Sequence, residues 1–390
     1  MGLRILTAGE SHGQLMMSII EGLPAGLQLS TADINPDLAR RQLVLGAGGR
    51  MRIEKDEVQI VAGVMAGRTT GAPIGLLIPN RDHEKWKNKT IEPFTTPRPG
   101  HADINGVIKY GYEDIRPSLE RASARDTVSH VAIGAICRKF LAEFGIQVGG
   151  YVRSIGIIDA DLADMDQPTR LLKAKESELA CPDDHAANLM KLEIEKIMQA
   201  RDTLGGVIEV VALGLPIGLG SFVQADRRLD ARLGAAILGV QAMKGVEIGE
   251  AFENSRLPGT EVQDAIGLEG SQIIRTTNRC GGLEGGITTG QPLLIRAAMK
   301  PIATTLTPQS SVNLASGQET LTKYERSDFC PVPRAVVILE AVVMLVLADA
   351  LLEKLGGDSM QEIIPRFQNL KKANLNDVQI SGRPQVWWEG

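Results

Sequence analysis

Between Ala335 and Leu352 the chain runs for 18 residues with only two charges, Glu340 and Asp349. Within that run Val336, Leu339, Val343, Val346, Leu347 and Ala350 recur at helical spacing, with Pro333 just before it and Gly356-Gly357 just after. The segment therefore reads as a helix started by proline and stopped by glycine. Its length is marginal for a bilayer, whose hydrocarbon core takes about 20 apolar residues, and two acids inside it favour burial within protein. A helix that is apolar all round must be covered all round. A second segment makes the same demand. Asp126 precedes Thr127 to Phe144, where Val128, Val131, Ala132, Ala135 and Ile136 share a helical period and Gly145 is the stop. Two such helices predict a helical layer inside the fold.

Strands flank them. Val58 to Met65 and Ala72 to Ile78 lie on either side of Gly67-Arg-Thr-Thr-Gly71 and read as a hairpin. Gly206 to Leu213 and Leu293 to Met299 are further strands, and the charged stretch from Leu171 to Arg201 reads as a surface helical pair broken near Pro182. With no regular βαβ alternation, the pattern predicts an α+β fold in which antiparallel sheets pack on helices. Residues 1–370 are expected to form one domain, with 371–390 as a C-terminal tail.

The chain has 390 residues, 42 Lys and Arg against 47 Asp and Glu, and a formal charge of −5. Polyphosphate binding draws on a broad basic excess, so nucleic acid is not expected as a partner, and any anion site must be local. Cys137, Cys181, Cys280 and Cys330 show no C-x-x-C pair, which predicts neither disulfides nor zinc and suits a reducing cytosol. No apolar run near Met1 resembles a signal peptide. The expected setting is cytoplasmic, away from membranes. Glycine is in surplus, 42 residues, and its clusters coincide with the segments that could carry chemistry.

Thr7-Ala-Gly-Glu-Ser-His-Gly13 ends a short apolar strand, and its glycines allow a sharp turn that presents His12 as a proton carrier or as a structural histidine. Arg40-Arg41 to Arg50-Met-Arg52 holds four arginines, no acid, and Gly46, Gly48 and Gly49. That suits an anion site, with a solvated basic loop as the alternative. It is no Rossmann fingerprint, since Met51 stands where a third glycine would be needed. Pro97 to Asp103 is a rigid loop presenting Arg98 and His101, while Arg121, Ser123 and Arg125 precede the first buried helix, where dipole and arginine charge favour phosphate. Thr277 to Pro292 collects five glycines, as backbone shaped around a flat or phosphorylated ligand would, or as a flexible loop would. Glu325 to Arg334 places Arg326 and Asp328 before the second helix. Taken alone, that segment reads as a surface ion pair.

In order, Gly9-Glu-Ser-His-Gly13, Arg98-Pro-Gly-His-Ala-Asp103, Arg121-Ala-Ser-Ala-Arg125, Ala242-Met-Lys-Gly-Val-Glu-Ile-Gly249, Gly285-Gly-Ile-Thr-Thr-Gly-Gln-Pro292 and Arg326-Ser-Asp328 resemble the chorismate synthase family over roughly residues 1–355. The resemblance implies a lyase of the shikimate pathway that eliminates phosphate from 5-enolpyruvylshikimate 3-phosphate. It also implies a need for reduced FMN without net redox change, a helical layer sandwiched between antiparallel sheets, and a homotetramer. By position it implies His12 as the acid for leaving phosphate, His101 as the proton partner of the reduced flavin, and Asp328 as the carboxylate beside the flavin. Arg41, Arg50, Arg98, Arg125 and Arg326 match the substrate's anion clamp. Arg121, Ala122, Ser123, Gln241, Ala242, Gly285, Lys300, Pro301, Ile302, Ala303, Thr304 and Arg326 match flavin contacts.

The sequence departs from the family pattern in two places. Ala47 stands where an arginine is usual, and Ala122-Ser123 where Ser-Ser is common. Competing expectations are an NADPH-dependent flavin reductase, for which no dinucleotide fingerprint is found, and a flavin-binding protein with a decayed site, against which His12, His101 and Asp328 are retained.

Overall fold

The computed structural model describes residues 2–42, 56–324 and 328–388. The apolar run near residue 340 becomes the helix Val332–Leu355, with Pro333 in its first turn and Gly356 at its end, and it is buried around its whole circumference. Its two acids have partners. Glu340 accepts two hydrogen bonds from Arg40, at 2.7 and 3.0 Å, and one from the Gly150 amide at 2.8 Å. Asp349 pairs with Arg232 and accepts from the Leu3 amide. Buried charges persist where they are matched in this way.

The second helix, Thr127–Ala142, packs along the first. Gly134 marks the closest approach: a methyl group added there would lie 2.3 Å from the Ala341 Cβ. Only glycine lets the two backbones come so near.

Two antiparallel sheets cover this pair. The first has the order Arg4–Ala8, Leu15–Glu21, Ile74–Pro79, Gln59–Ala62, and the second Met243–Ile248, Leu293–Met299, Gly206–Leu213, Gln147–Ile155, Ile158–Asp159. Thr127–Ala142 packs on the first sheet and Val332–Leu355 on the second. The expected helical layer between antiparallel sheets is what forms. Alternation in the first sheet sends Ile74, Leu76 and Ile78 inward and leaves Leu6, Met17, Ile19 and Val61 exposed on the outer face.

Most of the other expected elements are present. Gln59–Ala62 pairs with Ile74–Pro79, and a smaller ladder, Val64–Met65 with Arg68–Thr69, is nested inside that turn. The charged stretch forms Gln167–Glu176 and Asp184–Gln199, each capped by the aspartate before it, Asp166 and Asp183. The helix Met360–Gln368 follows the long one. Beyond it, Ala373 and Leu375 bond backbone to backbone with Ile273 and Ser271 beside the hairpin of Ile266–Glu269 and Gln272–Arg275. Trp387 and Trp388 are exposed.

Candidate active site

His12 owes its position to a turn between the first two strands. Gly9 has φ +118°, and a side chain there would meet the Leu15 carbonyl oxygen at 2.5 Å, so the turn requires glycine. Asn80 fastens the turn from outside, donating to the carbonyls of Glu10 and Gly13 at 3.0 and 2.9 Å. His12 is then held by one carboxylate at two points. Its ring Nδ1 lies 2.9 Å from Glu120 Oε1, and its amide donates to Glu120 Oε2 at 2.8 Å. Trp86 packs against the ring at 4.6 Å between centroids. Burial pushes the Glu120 carboxyl up, but the hydrogen bonds and charge of His12 outweigh it and hold the group below its ordinary range.

The other side of Asn80 leads to the arginines. Its Oδ1 accepts from Arg125 Nε at 2.8 Å, and Arg125 pairs with Asp56 at 2.7 Å. Asp56 in turn receives Arg41 at 3.4 Å, while Arg41 donates to Thr127 Oγ1 and to the Ala124 carbonyl. Arg41, Asp56 and Arg125 are all buried. Burial pushes Arg41 below the usual guanidinium range; Asp56 opposes this, Arg125 and Arg334 add to it, and Asp328 opposes it. Two buried arginines sharing one aspartate leave positive charge in excess, the local anion site that an acidic chain needs. A cavity of about 50 Å³ opens here, lined by Arg41, Thr127, Gln241, Met299, Asp328 and Arg334. Asp328 and Arg334 form an ion pair at 2.5 Å at the start of the long helix.

A third group of side chains centres on Asp103, which is fully buried. It accepts from Arg98 Nε, Nη2 and the Arg98 amide at 2.8 to 2.9 Å, and it pairs with His101 Nδ1 at 2.5 Å. Arg98 also donates to Thr304 at 3.3 Å. Arg98, expected in the substrate clamp, is thus engaged with Asp103 and braces the histidine loop. Lys300 ties the same loop by donating to the Gly100 carbonyl at 3.2 Å, and the Lys300 amide donates to Ala242 at 3.0 Å. Ala242 adopts φ +68°, a left-handed backbone uncommon for a residue with a Cβ. Pro301, Ile302 and Ala303 continue from Lys300, with the Ile302 carbonyl fixed by Thr203.

Arg121 is half-exposed, pairs with Asp126 at 2.6 Å and donates to Thr7, so Arg121, Ala122 and Ser123 stand directly behind the His12 turn. Ser123 and Ser11 share a hydroxyl contact at 3.2 Å. Gly285 stands apart. Its neighbour Gly286 packs on Arg228, and Arg227 pairs with Glu353 near the far end of the 24-residue helix, roughly 32 Å along the axis from Val332. Arg50, Arg326, Ala47 and the loop glycines Gly46, Gly48 and Gly49 lie outside the described residues.

Five residues that sequence reasoning gave no role complete the site: Glu120, Asn80, Asp56, Trp86 and Arg334. Glu120 and Arg334 adjoin recognised motifs, but neither shows a sequence signal that singles it out. Together these groups present histidines oriented by carboxylates and arginines beside a small cavity, an arrangement whose chemistry suits holding an anion and moving a proton.

The sequence profile described as Chorismate synthase matches residues 3–352. The chain is 50% identical to the chorismate synthase of Syntrophotalea carbinolica over 94% of its length and 97% of that protein's. To that of Aquifex aeolicus it is 49% identical, with the same coverage of the two chains. A crystal structure of chorismate synthase superposes with a TM-score of 0.78 at 43% identity, covering 95% of this chain and 97% of the other. The chain belongs to the chorismate synthase family. Its chemistry is that of a phosphate-eliminating lyase of the shikimate pathway.

Proposed function

We propose that the elimination takes place on 5-enolpyruvylshikimate 3-phosphate in the cleft joining the His12 turn, the Arg41–Asp56–Arg125 cluster and the Asp328–Arg334 pair. The observation that carries this reading is the small cavity lined by Arg41, Asp328 and Arg334, with the buried Asp56 and Arg125 directly behind Arg41. A substrate with one phosphate and two carboxylates complements that charge. Arg41 and Arg125 take anionic oxygens, joined by position by Arg50 and Arg326. Charge that gathers on the departing phosphate as its C–O bond breaks is stabilised by the same groups. His12, with Nδ1 on Glu120, delivers a proton from Nε2 to the leaving phosphate oxygen.

Reduced FMN fits the donor set around the cleft. Arg121 and Lys300 are cations at its rim, Ser123 and Thr304 offer hydroxyls, and the turned backbone at Ala242 and Gly100 allows close approach. When bound, it supplies electron density that eases phosphate departure and a site for the ring hydrogen. His101, with Nδ1 on Asp103, holds a proton at Nε2 for the flavin's polar edge, and a carboxylate oxygen of Asp328 relays onward the proton that derives from that ring hydrogen.

Assembly as a homotetramer is supported by the exposed apolar outer face of the first sheet, Leu6, Met17, Ile19 and Val61. A cytoplasmic setting agrees with four free cysteines. The test of the assigned roles is a set of variants, His12→Ala, His101→Ala and Asp328→Ala. Each is expected to keep its fold and oligomeric state while turnover drops by about 10²–10⁴. Full activity in any one removes that residue from the mechanism.

A further inference from the structure

Glu120 is attached to the His12 turn at three points. One carboxylate oxygen meets the His12 ring, the other takes the His12 amide, and the Glu120 carbonyl accepts from the Ser11 amide at 3.3 Å. The residue sits on the short helix Arg116–Arg121, which carries Arg121 and leads into Ser123, and its side chain is largely buried. We propose that Glu120 is a positioning residue for the elimination, fixing the ring orientation and tautomer of His12 so that the exchangeable proton is on Nε2. This rests on the assignment of His12 as the acid for leaving phosphate.

The physical basis is the rule that a carboxylate on one imidazole nitrogen decides which nitrogen titrates toward the substrate. A bare hydrogen bond to the ring would leave the imidazole free to swing about its side-chain torsions. Here the second oxygen on the backbone amide locks the ring and the turn to the same group, and Trp86 closes one face. The charged and titratable groups around the pair are Arg116, 3.9 Å from Glu120 and stacked over Trp86, His83, whose Nδ1 meets the His12 carbonyl, and Glu10 within the turn. Glu120 bonds the ring directly through its side chain.

The experiment compares Glu120→Gln, Glu120→Asp and His12→Ala in full-length protein, following chorismate release against pH, with nitrogen NMR of the His12 ring and circular dichroism for fold. Glu120→Gln keeps the shape but not the charge. It should lower kcat by roughly 10- to 100-fold, part of the 10²–10⁴ that an acid–base group contributes. The pH dependence of kcat should change with it, and the ring should lose its single Nδ1–H tautomer. Glu120→Asp should recover part of the rate and the original pH dependence. A folded Glu120→Gln with wild-type profile and tautomer, alongside an inactive His12→Ala, overturns the role of Glu120 while leaving His12 as the acid. Full activity in His12→Ala overturns the assignment on which both rest.

Discussion

Arg98 grips both carboxylate oxygens of Asp103, the most deeply buried acid of the site, and Asp103 in turn fixes His101. Burial would raise the Asp103 carboxyl, but the hydrogen bonds of Arg98 and then His101 hold it well below the usual carboxylate range. A depressed folded-state value gives stability that is complete above the unfolded value, near 4, and lost as pH falls through the folded one. Asp103→Asn should therefore be destabilised by about 3–5 kcal/mol at neutral pH, because Arg98 is left buried without its counter-charge. The gap to the wild type should narrow below about pH 4. Denaturant titrations across that range would read it, and a constant gap would speak against the pairing as the cause.

The Arg41–Asp56–Arg125 cluster makes a prediction about anions. Asp56→Asn leaves two buried guanidinium groups facing each other, which should lower the melting temperature and raise the stabilisation gained from inorganic phosphate. Thermal shift against phosphate concentration tests this. Equal stabilisation of both proteins would mean that Asp56 does not set the charge of the site.

Arg334 was not among the expected clamp arginines, yet it borders the cavity and pairs with Asp328. Arg334→Gln should reduce kcat/KM by about 10–100-fold, the equivalent of one hydrogen bond to a charged group at roughly 1.5–3 kcal/mol. Arg334→Lys should recover less than half of that loss in free energy, since a lysine cannot reproduce the fork. Steady-state kinetics at fixed FMN decides it, and an unchanged Arg334→Gln would confine the residue to the helix start.

Packing of the two buried helices depends on Gly134. Gly134→Ala forces a methyl group into Ala341 and should cost about 1–3 kcal/mol. The expected result is a lower unfolding midpoint with kcat nearly unchanged, because neither Gly134 nor Ala341 lines the cavity. A wild-type midpoint would show that the helices can separate freely.

How much of this was legible follows from where each signal resides. The long helix was readable because covering it on all sides leaves no polar face, and its acids could be recognised as exceptions though not matched to Arg40 or Arg232. Strands Gly206–Leu213 and Leu293–Met299 were readable from their composition and their flanking glycines. In the site, Arg41, Arg125, His12, His101 and Asp328 were flagged by motif. The residues that orient them were not: Asp56 lies 15 positions from Arg41 and 69 from Arg125, and Glu120 lies 108 positions from His12. Buried counter-charges are chosen by tertiary contact, which leaves no local pattern. Arg98 shows the converse, since its motif marks it as important while its partner Asp103, five residues on, decides what it does.

The most direct measurement is anaerobic turnover of the purified protein with 5-enolpyruvylshikimate 3-phosphate and dithionite-reduced FMN, following chorismate, phosphate and flavin absorbance together. Chorismate and phosphate are expected in equal amounts over many turnovers, with the flavin still reduced at the end. Failure to form chorismate, or oxidation of one flavin per product, would contradict the assignment of this cleft to an elimination without net redox change.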